Sequence, residues 1–578
     1  MLIRHLRIEN FRGIRSLNWF LGGRIICLIG PNDSTKTTIL DAIELALSSR
    51  SNVQVGDADF HNGDVSRPIS IEVTVSEIPT ELIAEPDKFG LYLRGIHPTN
   101  GIVDDPDDNC EHVLTLRLTI DKSLEPVWEI IKDSQGEPKR IGWQDRERFG
   151  LSRLGEDVDR HLTWSRGSAL SKLTGKGAST SQTFVEVARK ARELVAGAKM
   201  PELQEAAKAT LEAARFLGAD FKDLRPGLDG SGLSLGNSVL GLYEANVPMR
   251  LWGLGTKRLV ALAIQQSGIG GVSILLLDEL EHGLEPHRIR HLIARLTTTT
   301  DGKPRATGQV IFTSHSPTSI VALTVEHLRF VRSKEGETFV SQVQGKYADA
   351  LQSIARVQGI AFLARKLLVC EGATEVGLCR GLSIFWSESH GGQHPVNVGF
   401  VPIDGKGCTA APGAALELKR VGYDTALLAD TDVAIDPSAK TLQNSGISTF
   451  LWDGTMSTEE RLMTDLPLDS VQEVLTAAFE EYGVQAITSH VSCFAGKDLS
   501  GSGSTIVGWI KSGLTEPDLR TAIGKAAKSG KFGGKSTGWF KNVTLGQRLG
   551  EIVATAMPKL KNKPTEKLLS ALAKWIYG

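Results

Sequence analysis

Six short apolar runs, each ending at a glycine or a polar side chain, limit what this chain can become. They are "RIICLIG" (24–30), "SILLLDE" (273–279), "VIFTSHS" (310–316), "KLLVCEG" (366–372), "GFVPIDG" (399–405) and "TALLADTD" (425–432). A strand that is apolar along its whole length is buried on both faces, and helices must cover it. In parallel α/β sheets the groups at the strands' carboxyl ends line the crevice where chemistry is placed. The spacing therefore predicts an α/β protein with two such regions. At 578 residues the chain is too long for one core, and at ~150 residues per unit about four units are expected.

The first 80 residues read as strands around one helix: "LIRHLRI" and "ISIEVTV" alternate, and "TKTTILDAIELAL" has helical spacing. Residues 81–150 read as short strands. Residues 181–217 are rich in Ala, Glu and Lys with helical periodicity, as in a helical hairpin inserted for self-association or for ordinary packing. Residues 470–578 read as mostly helical. Net charge is −2, but from Lys497 onward 14 Lys/Arg face 5 Asp/Glu. Such a segment suits a polyanion such as nucleic acid, or is a solvated lysine-rich surface. The six cysteines are scattered without a C-x-x-C pair, which argues against zinc or disulfides and for a reducing cytoplasm. No apolar run approaches the ~20 residues of a membrane span, so no membrane partner is expected.

"GPNDSTKTTIL" (30–40) follows a buried strand and opens a helix, as a phosphate-binding loop must. Gly30, Lys36 and Thr37 fit the pattern, with Asn32 and Thr38 beside them, but Thr35 stands where a second glycine belongs. Lys36 is expected to reach the β/γ-phosphates and Thr37 to offer its hydroxyl to Mg²⁺. Asp278 ends an apolar strand and can hold the Mg²⁺ shell, while Glu279 can polarise the attacking water. His315 ends another strand and can sense the γ-phosphate. Gly253 and Gly255 precede a helical pattern 23 residues ahead of Asp278. "GGKST" (533–537) contains another Gly-Lys-Ser, but its first glycine would be Ser529 and no buried strand leads into it.

Farther on, Glu371 and Glu375 are four apart, and on a helix's first turn they would share one side. Asp404 follows "GFVPI", and Asp430 and Asp432 follow "TALLA", where i, i+2 on a strand would put both carboxylates on one face. Carboxylates converging at strand ends repel unless cations neutralise them, which suits Mg²⁺ or Mn²⁺. Two such ions can activate a water and stabilise the leaving oxygen of a phosphodiester.

Loop, Gly-Leu-Gly, apolar-Asp-Glu and strand-His, in that order, resemble the ABC-type ATPase heads of the SMC/RecF kind. The series E-G-x-x-E, apolar-Asp-Gly and D-x-D resembles a Toprim domain. Together they resemble the OLD (overcoming lysogenisation defect) family. The resemblance implies an ATPase head over 1–180 and 226–345 interrupted by a helical insertion at 181–225, a Toprim core over 360–470 and a helical basic region over 471–578. It further implies an ATP-dependent or ATP-regulated DNA endonuclease with ATP, one Mg²⁺ beside it and two Mg²⁺ or Mn²⁺ in the Toprim site, acting in anti-phage defence or DNA processing. Glu371 and Glu375 would serve one metal and Asp430 and Asp432 the other. A downstream acid, Glu460 with Glu459 and Asp465 as rivals, would complete the set. A late lysine, Lys541 or else Lys535, would stabilise charge on the phosphate. Partners implied are DNA and further copies of the chain, as a homodimer or larger; a helicase partner is compatible. A topoisomerase- or primase-like enzyme and an ATP-switched, non-catalytic DNA clamp are the alternatives. The six tyrosines lack a domain built around one, and the cysteines form no zinc module.

Overall fold

A computed structural model describes the whole chain except residues 50–52, 86–87, 98–100, 156, 165–167, 169, 171–185, 188, 192, 195–197, 199–200, 217–240, 267–273, 298, 301–302, 305–307, 344, 346, 530, 533–534 and 537. Strands β1 (Leu2–Phe11), β2 (Ile14–Phe20) and β3 (Ile25–Ile29) precede helix α1 (Lys36–Leu47). Strands β4 (Ile69–Ser76), β5 (Glu111–Ile120), β6 (Pro126–Ile131) and β7 (Leu151–Leu154) follow, then helices α2 (Pro201–Phe216) and α3 (Leu254–Gln266). Next come β8 (Ile274–Leu277), β9 (Gln309–Thr313), β10 (Leu328–Lys334) and β11 (Glu337–Ser341). The expected helical hairpin is described only at α2; most of 181–200 and all of 217–225 lie outside the described residues.

The chain forms two compact units and passes between them several times. One contains Met1–Arg12, Phe20–Ile25 and Thr37–Phe312. In it β1 pairs antiparallel with β4, β4 with β5 and β5 with β6. β1 buries Ile3, Leu6 and Ile8 opposite Val75, Val73 and Ile71, and an irregularity between Ile3 and His5 keeps the three in step. β7, β8 and β9 run parallel, with Leu154 level with Leu277 and Leu277 level with Phe312. β8 is buried at every position, so its chain emerges from the core only at Asp278.

The other unit contains Gly13–Trp19, Ile26–Lys36 and Thr313–Gly578. β3 pairs parallel with β10, which returns antiparallel through β11. A separate four-stranded sheet holds β12 (Lys366–Cys370), β13 (Phe400–Asp404), β14 (Asp424–Ala429) and β15 (Ser448–Leu451) in the order β13-β12-β14-β15, all parallel. Helices α4 (Ala373–Ser389) and α5 (Ala411–Arg420) follow the first two of these strands. The remainder is helical, as expected: α6 (Thr458–Asp465), α7 (Leu468–Tyr482), α8 (Val484–Ala495), α9 (Glu516–Ser529), α10 (Val543–Ala556) and α11 (Pro564–Tyr577).

Two local expectations need correction. α4 begins at Ala373, so Glu371 lies before the helix, and Glu375 is the residue that caps it by accepting the Gly372 N–H at 2.9 Å. The pair does not share a helical turn. Likewise β14 stops at Ala429, and the chain bends over Thr431–Val433. Thr431 leaves the ladder because its N–H reaches Met456 O at 3.1 Å, so the two aspartates part company instead of sharing a strand face.

Helix α4 lies against α10 at backbone contact distance. A Cβ on Gly381 would stand 2.3 Å from Gln547 O, and one on Gly550 would stand 2.4 Å from Leu378 O. Gly381→Ala is expected to lower stability by about 1–3 kcal/mol, the cost of overpacking a filled interface. Urea unfolding followed by tryptophan fluorescence measures it, and an unchanged midpoint would show that the helices can separate freely.

Candidate functional site

The loop after β3 closes on itself. Lys36 is 5% exposed, and its Nζ donates to Gly30 O at 3.1 Å, Pro31 O at 2.7 Å and Ser34 Oγ at 3.1 Å. The ammonium thus lies in the cradle its own loop forms, on a stem able to extend toward an anion. Gly30 has no room for a side chain, since a Cβ would meet Val331 O at 2.4 Å. Thr35 has φ +66°, the left-handed region that a glycine enters without cost. A β-branched residue there is strained by roughly 1–2 kcal/mol. Its Oγ1 offsets part of that by donating to Ser34 O at 2.6 Å and meeting Thr338 Oγ1 at 3.1 Å. His315 follows Ser314, whose N–H donates to Leu28 O at 3.3 Å, so the strand-end histidine belongs beside β3. Asn32 is exposed and Thr38 half-buried in the first turn of α1.

In the other unit Thr37 Oγ1 donates to Asp278 Oδ1 at 3.3 Å. The hydroxyl and carboxylate expected to share an ion are therefore already neighbours. The remaining partners of Asp278 were not foreseen. Arg153 Nη2 lies 3.3 Å from Asp278 Oδ2 while the same guanidinium pairs with Asp41 and Glu44. Buried Arg258 donates from Nη2 to Asp278 O at 2.7 Å and Glu279 O at 3.0 Å. Arg258 is on α3, the helix that Gly253 and Gly255 open. Gly255 has no space for a Cβ, which would stand 2.2 Å from Gly283 O. The Gly-Leu-Gly segment and the Asp-Glu turn are thus one packed assembly. Their common signal was the 23-residue spacing alone, and nothing in it points to an arginine.

The acidic set gathers where β12 and β14 end. Asp430 N donates to Glu371 Oε2 at 2.9 Å, holding the two strand ends side by side. Thr458, first residue of α6, donates to Asp430 Oδ1 from its N–H at 2.8 Å and its hydroxyl at 2.9 Å. Glu459 is fully buried, with Oε1 3.3 Å from the Thr374 hydroxyl and 3.5 Å from Lys541 Nζ. Its Oε2 has no hydrogen-bond partner among the described residues. Burial, then the charge of Glu459, raises the pKa of Glu375. Burial with Glu375, Glu459 and Glu371 pushes Asp430 up from 3.8 to about 8. Burial likewise raises Glu371. Burial opposes the charge on Lys541, but Glu459, Glu375 and Asp430 outweigh it and raise its pKa.

Of the three rivals for the downstream acid, Glu459 joins this inner group. Glu460 sits apart, capping α6 by accepting the Ser457 N–H at 3.0 Å, with Lys528 Nζ at 3.6 Å. Lys528 also pairs with Asp432. Asp465 is committed elsewhere, accepting the Thr565 N–H at 3.0 Å and hydroxyl at 2.8 Å at the start of α11. Asp404 pairs with Lys406 at 2.7 Å. Lys535 falls in a two-residue strand (Lys535–Ser536), and the rest of "GGKST" lies outside the described residues. Among the described residues no three His, Cys, Asp or Glu side chains form a ready cage for a metal ion. The reason is local: ammonium groups and backbone N–H donors take oxygens that would otherwise coordinate. The donor chemistry nevertheless fits a hard cation, because the set is all oxygen and leaves a buried oxygen of Glu459 unsatisfied. Among the described residues no helix is long and apolar enough to cross a membrane.

Comparison with known proteins identifies the family of the chain's first half. Residues 25–321 match the family described as "AAA domain, putative AbiEii toxin, Type IV TA system". The chain belongs to this family, and these residues form its AAA domain. It is also 25% identical over 375 residues to the OLD nuclease of Thermus scotoductus (strain ATCC 700910 / SA-01). That match covers 61% of this chain and 66% of the relative, just under two thirds of its length. The human structural maintenance of chromosomes protein 1B is 31% identical over 96 residues, 16% of this chain and 8% of that protein. Among solved structures, an SMC head bound to the C-winged helix domain of ScpA has a TM-score of 0.34 at 12% identity, covering 60% of this chain and 99% of that one. The SMC head domain from Thermotoga maritima has a TM-score of 0.29 at 15% identity, covering 60% and 100%.

Two outcomes follow from the geometry. Thr35→Gly should remove the left-handed strain and raise ATP affinity or turnover by up to about tenfold, equal to ~1.4 kcal/mol. Titration with a fluorescent ATP analogue and a phosphate-release assay measure it; no gain would mean that the Thr35 hydroxyl bonds offset the strain in full. The second concerns pH. Between about 4 and 8 the folded protein holds a proton on Asp430 that the unfolded chain has released. Metal-free stability should therefore fall as pH rises through that window, by up to about 1.4 kcal/mol per pH unit. Asp430→Asn should flatten the slope in a melting series, and so should added Mn²⁺.

Proposed function

We propose that the chain is an ATP-dependent or ATP-regulated nuclease that cuts DNA with two divalent cations, Mg²⁺ or Mn²⁺, at a Toprim centre. The observation that carries this is the convergence of Glu371, Glu375, Asp430 and Glu459 on Lys541 at the ends of parallel strands. Buried carboxylates cost several kcal/mol each, and a single ammonium does not repay three of them, Glu375, Asp430 and Glu459, with half-buried Glu371 beside them. A structural role would be served better by apolar residues, whereas a cation-binding role requires the acids. Glu371, Glu375, Asp430 and Glu459 would hold one ion, and Asp432 with Glu460 the other. Such ions supply an activated water and a clamp on the leaving oxygen. Lys541 is 43% exposed along its side chain, so its ammonium can meet both the acids and an incoming phosphodiester. The relative named OLD nuclease supports the substrate class.

The ATPase head implies nucleotide binding. In this reading Gly30, Asn32, Lys36, Thr37 and Thr38 receive the phosphates, and Asp278 with Thr37 holds an Mg²⁺. Glu279 directs water, His315 senses the γ-phosphate, and Gly253 and Gly255 face the nucleotide of a second copy in a homodimer or larger assembly. Cleavage of invading DNA in anti-phage defence suits such an enzyme. A helicase partner has no support from these residues or relatives.

Incubation of supercoiled plasmid with the protein and Mg²⁺ or Mn²⁺, with and without ATP, should give nicked and linear products. Asp430→Ala/Asp432→Ala should lower the rate by at least about a hundredfold, on the order of 2.7 kcal/mol of barrier. Undiminished nicking by that double variant would overturn the proposal.

A further inference from the structure

One lysine outside the sequence-derived set occupies the outer pair of acids. Lys528 is in the last turn of α9, and its Nζ pairs with Asp432 Oδ2 and stands 3.6 Å from Glu460 Oε2. Its placement is built into the packing. Gly524, one helical turn earlier on the same face of α9, lies so close to α6 that a Cβ there would meet Glu460 Cα at 2.9 Å. The missing side chain lets α9 seat against the start of α6 and carries Lys528 to the two carboxylates. The side chains of Lys528, Asp432 and Glu460 are 32%, 20% and 18% exposed, so the cluster is open to ions and to a bound strand.

The same two carboxylates are those assigned above to the outer cation, and this inference rests on that assignment. An ammonium and a divalent cation cannot share one pair of acids at contact distance without strong mutual repulsion. The lysine must leave when the cation enters. Its flexible four-carbon stem permits that, and its charge then needs an anion. A phosphodiester brought to the metals is the anion at hand.

We propose that Lys528 is an internal counter-ion: it holds Asp432 and Glu460 until a divalent cation takes them, and then transfers to a phosphate of the nucleic acid. Cation uptake at the outer pair is thereby linked to DNA binding, and by reciprocity each tightens the other. Lys528 is a positioning residue, separate from Lys541 on the inner group.

The test is a Mn²⁺ titration of the full, nucleotide-free chain, reading free Mn²⁺ by electron paramagnetic resonance, for wild type, Lys528→Met, Lys528→Arg and Asp432→Asn. Without DNA, Lys528→Met should bind its outer Mn²⁺ at least about tenfold tighter than wild type, while Lys528→Arg stays like wild type. Anisotropy of a labelled DNA duplex should show Ca²⁺ strengthening DNA binding by wild type and much less by Lys528→Met. Unchanged Mn²⁺ binding by Lys528→Met, with Asp432→Asn weakening it, would overturn the counter-ion role and leave the metal assignment standing. If Asp432→Asn leaves Mn²⁺ binding unchanged with and without DNA, the outer cation itself is wrong and both readings fall. Melting curves confirm that each variant is folded, and Lys528→Arg keeps the comparison decisive if the methionine variant unfolds.

Discussion

The interaction on which the rest of the C-terminal architecture depends is the burial of Glu375, Asp430 and Glu459 around a single ammonium. Such a group would tear itself apart unless donors were delivered to it from fixed backbone. The parallel sheet provides them at one end. The end of β14 gives the Asp430 N–H to Glu371, the start of α4 gives the Gly372 N–H to Glu375, and the start of α6 gives the Thr458 N–H to Asp430. Two of these donors sit at helix N-termini, where the backbone dipole favours negative charge. Hence the acids are tolerated because strand ends and helix starts meet there. The raised pKa values of Glu375 and Asp430 reflect burial and the mutual repulsion that these donors leave unbalanced.

The nucleotide loop meets the opposite problem with the same means. In the proposed function it attracts anions, and Lys36 lies inside it bound to three oxygens of its own loop. An ammonium already desolvated and hydrogen-bonded exchanges one set of acceptors for another when phosphate arrives, so little reorganisation is needed. Thr35 is the departure. The backbone there takes the glycine-like conformation although the residue is not glycine, and the loop retains its shape because Thr35 finds Ser34 O and Thr338 Oγ1. Sequence showed that a glycine was missing. The structure shows that Thr35 takes the glycine-like conformation all the same.

Much of the fold was legible because burial on both faces leaves an unmistakable apolar run, and all six such runs are strands. What escaped was whatever depends on where a strand stops. "TALLADTD" gives no sign that the ladder ends at Ala429, because Thr431 bonds to Met456 far along the chain. "STEERLMTDLP" holds three acids within one helical pattern, and periodicity cannot say which faces the core. The capping box decides it: Glu460 turns back to the Ser457 N–H, which leaves Glu459 pointing inward. Ser457 and Glu460 at the spacing of a capping box were the available signal. Lys528 had none, since its role depends on Gly524 meeting another helix.

Packing within the second unit also sets where strain at the nucleotide loop must go. Gly30 lies against Val331 O, and a Cβ there would stand 3.3 Å from Arg332 Nη1. Arg332 in turn donates from Nε to Gly422 O at 3.1 Å and covers the ring of Tyr423 at 4.3 Å. Tyr423 is buried against Phe330 and immediately precedes β14, the strand that ends beside Asp430. Interiors at this density transmit displacement instead of absorbing it. A side chain added at Gly30 would therefore press on β10 and on Arg332 before it reached solvent. The guanidinium is held by a ring on one face and a carbonyl at its edge. The carbonyl of Val331, 2.4 Å from where a Cβ on Gly30 would stand, therefore sets the size limit at the loop's first glycine, and Arg332 links that wall to Gly422 and Tyr423.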